Sequence, residues 1–169
     1  MRILILTCIF ILSGCSVTSV PAHLETAQSK LGLNEYQHRT VLYEFLAVDP
    51  RRVEWCAAFV NAVISDSQMN SLSDTDHHNP LSARSWLDWG EEVDTPKAGD
   101  IVIFPRGNAE WQGHVGFYLS SIQLDGTEYY QILGGNQNNS VSIVLYSASK
   151  SLGIRRHKKH QFKSKLRRR

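Results

Sequence analysis

Apolar residues recur along the chain with a helical period in its first half and with a strand-like pattern in its second half. The clearest helical pattern follows Pro50, where apolar residues fall at i, i+3, i+4, i+7 and i+8 and so form one continuous face. Weaker patterns predict short helices over 24–31, 39–46 and 81–89, the first and last each followed by a glycine. The continuous face consists of Cys56, Phe59, Val60, Val63 and Ile64.

The strand patterns begin after Pro96. Asp125-Gly126 separates two of them and predicts a tight hairpin turn, which favours antiparallel pairing. Because helices come first and an antiparallel sheet follows, the pattern predicts an α+β fold with N-terminal helices packed on an antiparallel β-sheet. The predicted strands cover residues 100–104, 115–124, 129–133 and 141–146.

The N-terminus has the pattern of an export signal. Met1-Arg2 is a short basic start, and the apolar run over 3–12 is too short to span a bilayer. The run ends in Leu12-Ser13-Gly14-Cys15, which resembles the bacterial lipoprotein signal, in which cleavage leaves the cysteine as a lipid-bearing N-terminus. We therefore expect Cys15 to be the lipid anchor, with an ordinary signal peptide as the alternative.

The export signal sets the expected organisation and location. We expect a signal peptide over 1–14, a tether over 15–23, one domain over 24–155 and a basic, disordered tail over 156–169. Lipoproteins that stay at the inner membrane usually carry an aspartate just after the cysteine, and Ser16-Val17 lacks it. The expected location is thus the cell envelope, at the outer membrane facing the periplasm.

The charge of the chain is uneven. Nine of the 18 Lys and Arg residues lie between Arg155 and Arg169, where there is no acid. The rest of the chain has nine Lys and Arg residues against 16 Asp and Glu residues, which gives it a net charge of −7. A polybasic tail is attracted to anionic polymers, and the export signal removes nucleic acid from the candidates. Anionic envelope polymers or lipids are the expected partners, and a tail that is merely solvated is the alternative.

Cys56 is the candidate nucleophile. Cys8 would be discarded with the signal and Cys15 would carry lipid, so the mature chain keeps one thiol without a disulfide partner. The predicted helix places Cys56 in its first turn, where free N–H groups and the helix dipole are expected to lower the pKa of the thiol. A small buried core residue is the alternative interpretation.

Two polar residues could complete the chemistry. His114 opens a predicted strand and could accept the proton of a cysteine nucleophile. Asn136 follows the end of the strand expected to pair with it and, depending on register, could lie beside the imidazole.

His77-His78 invites a metal interpretation, but two adjacent histidines cannot both face one ion from a regular element. We therefore expect no metal and no cofactor.

Four motifs follow one another along the chain: Trp55-Cys56-Ala57-Ala58-Phe59-Val60, Pro96-Lys97-Ala98-Gly99-Asp100-Ile101-Val102, Gly113-His114-Val115-Gly116-Phe117-Tyr118 and Gly134-Gly135-Asn136-Gln137. Their order and spacing resemble those of CHAP domains, the cysteine, histidine-dependent amidohydrolases and peptidases, and are similar to those of the related NlpC-type cell-wall peptidases. The resemblance runs from about residue 24 to residue 155, and several ordered motifs are more specific than any one of them.

The resemblance implies a papain-like α+β catalytic domain that acts on peptidoglycan. It implies that Cys56 is the nucleophile, His114 the general base and Asn136 the residue that orients the base. Trp55 stands where many members have a polar residue before the cysteine, and Gly134-Gly135 stands where many have an acid. A second oxyanion donor is therefore not assigned by resemblance.

Three aromatic residues flank these positions and are candidates for packing on sugar rings or on a stem peptide: Trp55, Trp111 and Tyr118. Trp111, in the loop over 106–113, is the best placed of them. The expected function is a peptidoglycan amidase or endopeptidase that works through a thioester. Two alternatives remain: a non-catalytic envelope-binding lipoprotein, and a cysteine hydrolase or acyltransferase with another amide or acyl substrate, such as a toxin.

Overall fold

The computed structural model describes residues 20–67, 69 and 79–158. The signal peptide, Cys15, His77-His78 and the tail from residue 159 onward lie outside the described residues. No helix within the described ranges is long and apolar enough to cross a membrane.

Three α-helices open the domain: α1 is Ala22–Gln28, α2 is Arg39–Leu46 and α3 is Cys56–Asp66. Helix α3 is the most deeply buried, because the apolar face predicted from the sequence packs against the sheet. The buried residues of α3 are Cys56, Ala57, Ala58, Phe59, Val60, Val63 and Ile64.

The sheet has six strands in the order β1-β6-β2-β3-β4-β5, and every neighbouring pair is antiparallel. Two short 3-10 helices, Ala83–Asp88 and Ala148–Lys150, flank it. The strands are β1 Glu91–Glu92, β2 Ile101–Pro105, β3 Gly113–Leu124, β4 Thr127–Gln137, β5 Ser140–Ser147 and β6 Gly153–Arg156.

Tight turns join the three long strands. Asp125 and Gly126 connect β3 to β4 and have φ angles of 49° and 75°. Asn138 and Asn139 connect β4 to β5 and have φ angles of 53° and 61°. Positive φ at both central residues is the type I′ geometry, whose twist matches that of the paired strands. The first of these turns is the hairpin predicted from the sequence, so that prediction is confirmed.

The main core lies between the helices and one face of the sheet. Helix α3 packs on β3 and β4, and the approach to β4 is close at Gly135. A Cβ at Gly135 would lie 2.6 Å from Phe59 Cβ and 2.6 Å from a ring carbon of Trp55, which no side chain could tolerate. A smaller apolar cluster covers the other face of the sheet.

The α+β prediction is confirmed, and so are α2, α3 and the four predicted strands. The segment 81–89 forms a 3-10 helix rather than an α-helix. Helix α1 begins at Ala22, inside the expected tether. Strand β6 is not among the predicted strands, because its Arg155 and Arg156 belong to the basic run of the sequence.

A buried ion pair explains why Arg156 belongs to the fold. Its guanidinium donates to both carboxylate oxygens of Asp100, at 2.8 and 2.6 Å, and the carboxylate also accepts the backbone N–H of Lys97 at 2.7 Å. Asp100 is buried, so its charge depends on these donors. Asp100 therefore links the turn before β2 to strand β6.

We predict that Arg156→Ala lowers the free energy of unfolding by about 2–3 kcal/mol, because it leaves the buried carboxylate of Asp100 without its countercharge. Lys158→Ala removes the same charge from an exposed neighbour and should change stability by less than about 0.5 kcal/mol. Urea unfolding of the two variants measures the difference. Equal stabilities would show that Arg156 is part of the tail after all.

Candidate active site

Cys56 is the first residue of α3, and its side chain faces the start of β3. Its Sγ lies 4.0 Å from the carbonyl oxygen of Gly113, and the backbone N–H groups of Ala57 and Val115 are directed at the sulfur. The thiol also forms part of the wall of an open cavity of about 660 Å³. A buried thiol that borders a cavity can meet a substrate there.

The thiol is neutral at rest, contrary to the expectation from the helix N-terminus. Burial raises the pKa of Cys56, and the charge of Glu54 raises it further. The Arg106 guanidinium and the two backbone N–H groups act in the opposite direction without reversing the shift. The nucleophile therefore needs a base to take its proton.

His114 is the second residue of β3, opposite Phe104 of β2. Its imidazole is 2% exposed, and its Nε2 lies 3.1 Å from Oε1 of Gln137. The ring of Tyr146 stacks on it with centroids 5.2 Å apart and an interplanar angle of 15°, and Tyr146 in turn stacks on Phe104 at 4.6 Å. The imidazole is thus held in its plane by one hydrogen bond and one aromatic face.

The amide orientation of Gln137 follows from its surroundings. Its Nε2 donates to the carbonyl oxygen of Ser142 at 2.6 Å and has the carbonyl oxygens of Gly134 and Ile132 at 3.3 and 3.4 Å. An amide nitrogen belongs among carbonyl oxygens, so Oε1 must be the atom that faces His114. Gln137 therefore accepts a hydrogen bond from the imidazole.

This hydrogen bond selects the tautomer of His114. An acceptor at Nε2 places the proton there and leaves the lone pair on Nδ1. Nδ1 is buried and has no hydrogen-bond partner among the described residues. Burial and the charge of Arg106 lower the pKa of His114 to about 4, so the imidazole is neutral at neutral pH. Nδ1 is therefore the imidazole nitrogen that can accept a proton.

A β-bulge explains why Gln137, and not Asn136, contacts the imidazole. Strand β4 pairs with β5 through Gly134↔Ser142 and Gln137↔Ser140, so two residues of β4 lie opposite the single Val141. The extra residue shifts the side-chain alternation by one position. Asn136 has a φ of 56°, and Gln137 takes the face that Asn136 would occupy in a regular strand.

The role predicted for Asn136 is therefore not supported by its position. Its Nδ2 donates to Oε2 of Glu54 at 2.7 Å, and its backbone carbonyl accepts from Arg106 at 3.3 Å. These two charged residues also contact each other, with Arg106 Nη1 3.3 Å from Glu54 Oε2. Asn136 supports the charged rim of the site, and Gln137 supports the base.

Only one of the three aromatic candidates borders the cavity. Trp55 is 0% exposed, and its indole N–H donates to Glu35 at 2.9 Å. Tyr118 is buried against Tyr130 on the other face of the sheet. Both predictions were wrong, because these rings serve the core. Trp111 is 76% exposed, lies on the cavity wall and stays a candidate.

Four residues of the site were not predicted from the sequence: Gln137, Tyr146, Arg106 and Glu54. Gln137 is the last residue of the Gly134-Gly135-Asn136-Gln137 motif, so the motif identifies the right segment. Because of the β-bulge, the motif does not reveal which of its residues contacts the imidazole. Tyr146 reaches His114 from β5, and no local pattern reveals that contact. Among the described residues, no group of His, Cys, Asp and Glu could hold a metal ion.

The start of α3 supplies free backbone donors beside the thiol. The first helical hydrogen bond runs from the Phe59 N–H to the Trp55 carbonyl, so the N–H groups of residues 56–58 precede the regular helical bonding. Such groups can bind the negative oxygen that develops when a carbonyl is attacked. The structure thus shows a buried thiol at a helix N-terminus, a neutral imidazole with one bare nitrogen and a glutamine that accepts its hydrogen bond.

Comparison with known proteins places this site in a family. The family model of the CHAP domain matches residues 48–136, more than half of the 169-residue chain. The match includes Cys56 and His114 and ends one residue before Gln137. No curated protein matches the chain significantly. Because the match covers both the helix that bears the thiol and the strand that bears the base, the chain belongs to the CHAP domain family of amidases and peptidases.

Proposed function

We propose that the protein is a cysteine amidase or endopeptidase that hydrolyses peptidoglycan through a thioester intermediate. The observation that carries the proposal is the His114 imidazole, buried and neutral, with Gln137 on Nε2 and a free lone pair on Nδ1. Most buried side-chain nitrogens have a hydrogen-bond partner, and a role as a proton acceptor would explain why Nδ1 has none. Membership of the CHAP family supports peptidoglycan as the substrate class.

The proposed reaction begins with proton transfer from Cys56 Sγ to His114 Nδ1. The sulfur then attacks the carbonyl carbon of an amide bond, and backbone N–H groups at the start of α3 stabilise the oxyanion. The imidazolium returns the proton to the leaving amine as the C–N bond breaks, which leaves a thioester on Cys56. Water, deprotonated by His114, attacks the thioester and releases the acid and the free thiol.

The cavity beside Cys56 supports a peptide or sugar-peptide substrate. It is open and about 660 Å³ in volume, within the usual range for ligand sites. Trp111 presents its ring on the wall, where it can pack against a sugar or an aliphatic side chain. We further propose that Cys15 carries a lipid and that the basic tail adds contact with anionic envelope polymers; both lie outside the described residues.

We predict that the full chain releases soluble fragments from purified peptidoglycan and that Cys56→Ala and His114→Ala each abolish release almost completely, because one removes the covalent route and the other the proton carrier. Mass analysis of the fragments identifies the bond. Circular dichroism checks that each variant is folded. No release by the wild-type chain from walls of several compositions would favour a binding lipoprotein, and a fully active His114→Ala variant would exclude this mechanism.

We predict that Gln137→Ala lowers kcat roughly 10-fold to 1,000-fold, because the imidazole loses the acceptor that fixes its tautomer. Asn136→Gly is the matched control, since glycine keeps the positive φ while the side-chain amide is lost. It should lower kcat by less than about 5-fold, because Asn136 does not contact the base. The reverse ranking would restore Asn136 as the orienting residue.

We predict that the acid limb of kcat/KM in the wild type lies near pH 4, because His114 must be neutral to act as the base. Tyr146→Ala opens one face of the imidazole to water, which stabilises the imidazolium, raises the pKa and moves the limb toward about 6.5. Tyr146→Phe retains the stacked ring and should leave the limb in place. A limb that is unmoved in Tyr146→Ala would show that the stacked ring does not desolvate the base.

A further inference from the structure

Arg106 is a cation on the cavity beside Cys56 that the mechanism leaves unused. It follows the last residue of β2, and its guanidinium lies on the same cavity wall as Cys56. Nη1 is 3.3 Å from Oε2 of Glu54, and Nη2 donates to the carbonyl oxygen of Asn136 at 3.3 Å. Among the described residues that line this cavity, the charged side chains are Arg106 and Glu54.

The contact between these two charges is loose. Charge-assisted hydrogen bonds in proteins usually have lengths of about 2.7–2.9 Å, and this pair is longer at 3.3 Å. The side chain of Glu54 is 79% exposed and that of Arg106 is 42% exposed, so water screens the pair and its net contribution is small. Glu54 is held more closely by Asn136, at 2.7 Å.

A guanidinium has five N–H donors in a planar fork that matches a carboxylate. Arg106 uses two donors in long contacts and remains partly exposed toward the cavity. An incoming carboxylate can therefore take the place of Glu54 on this fork without breaking a strong bond. Its position would be near the thiol, because Arg106 and Cys56 line the same cavity.

We propose that Arg106 binds a free carboxylate of the substrate beside the scissile bond, and that Glu54 competes for the same guanidinium and so weakens the site for anions. This carboxylate-binding proposal rests on the proposed function, and it identifies the substrate class as an acidic peptide whose carboxylate is not amidated. It also gives the two residues opposite effects: removal of Arg106 weakens anion binding, and removal of the Glu54 charge strengthens it.

The test compares two alkylating reagents on Cys56 in the full-length chain. Iodoacetate carries a carboxylate and iodoacetamide carries the neutral amide, and both attack the same thiolate, so the ratio of their rates cancels the thiolate fraction. Mass spectrometry of the peptide that contains Cys56 excludes Cys8 and Cys15 from the readout. Rates are measured at about pH 8.5, where a thiol of raised pKa still reacts.

We expect Arg106→Gln to lower the iodoacetate to iodoacetamide ratio by about fivefold or more and Glu54→Gln to raise it about twofold or more. Lys97→Gln removes the same charge as Arg106→Gln from a position before the start of β2, and the five residues of β2 alone extend over roughly 17 Å. That distance exceeds the screening length of about 10 Å at 0.1 M salt, so the ratio should stay within about 1.5-fold. Equal ratios in all four proteins would overturn the proposal.

A second measurement uses soluble stem peptides that differ only in one carboxylate or its amide. The wild type should show a lower KM for the carboxylate form, and Arg106→Gln should lose that preference, with a KM for the carboxylate form that rises to the KM for the amide form. A preference that survives in Arg106→Gln would also overturn the proposal. If no peptide is cleaved by any protein while the alkylation ratios shift as expected, the carboxylate site stands and the proposed hydrolysis fails.

Discussion

The hydrogen bond from His114 Nε2 to Gln137 Oε1 is the contact on which the rest of the site depends. It fixes which nitrogen carries the proton, and so leaves the lone pair of the imidazole on Nδ1. It exists because carbonyl oxygens hold the amide nitrogen of Gln137 on the far side and because a bulge turns that residue toward the imidazole. The neutral amide of Gln137 orients the imidazole without placing a negative charge beside it.

Cys56 lies on the helical layer and His114 on the sheet, and α3 packs closely on β4. Gly135 lets Trp55 and Phe59 approach the strand at the bulge itself, since a Cβ there would overlap both side chains. Trp55 is anchored in turn by its hydrogen bond to the buried Glu35. The residue before the nucleophile thus serves packing, and the position of Cys56 is fixed by the core.

Most of the fold could be predicted because hydrophobic periodicity and turn residues are local signals. The sequence predicts the buried face of α3 correctly, and it also predicts the Asp125-Gly126 turn correctly. The site was harder. Asn136 was preferred to Gln137 because a bulge shifts side-chain alternation and leaves no local mark in the sequence. The raised pKa of Cys56 depends on burial by distant residues, which no helix position reveals.

The most direct test is nitrogen-15 NMR of the His114 imidazole across a pH titration, assigned by comparison with His114→Gln. The structure predicts a proton on Nε2, a bare Nδ1 and a protonation midpoint of about 4. A proton on Nδ1, or a midpoint near the ordinary histidine value of about 6.5, would contradict the assignment of Gln137 as the orienting residue and of Nδ1 as the base.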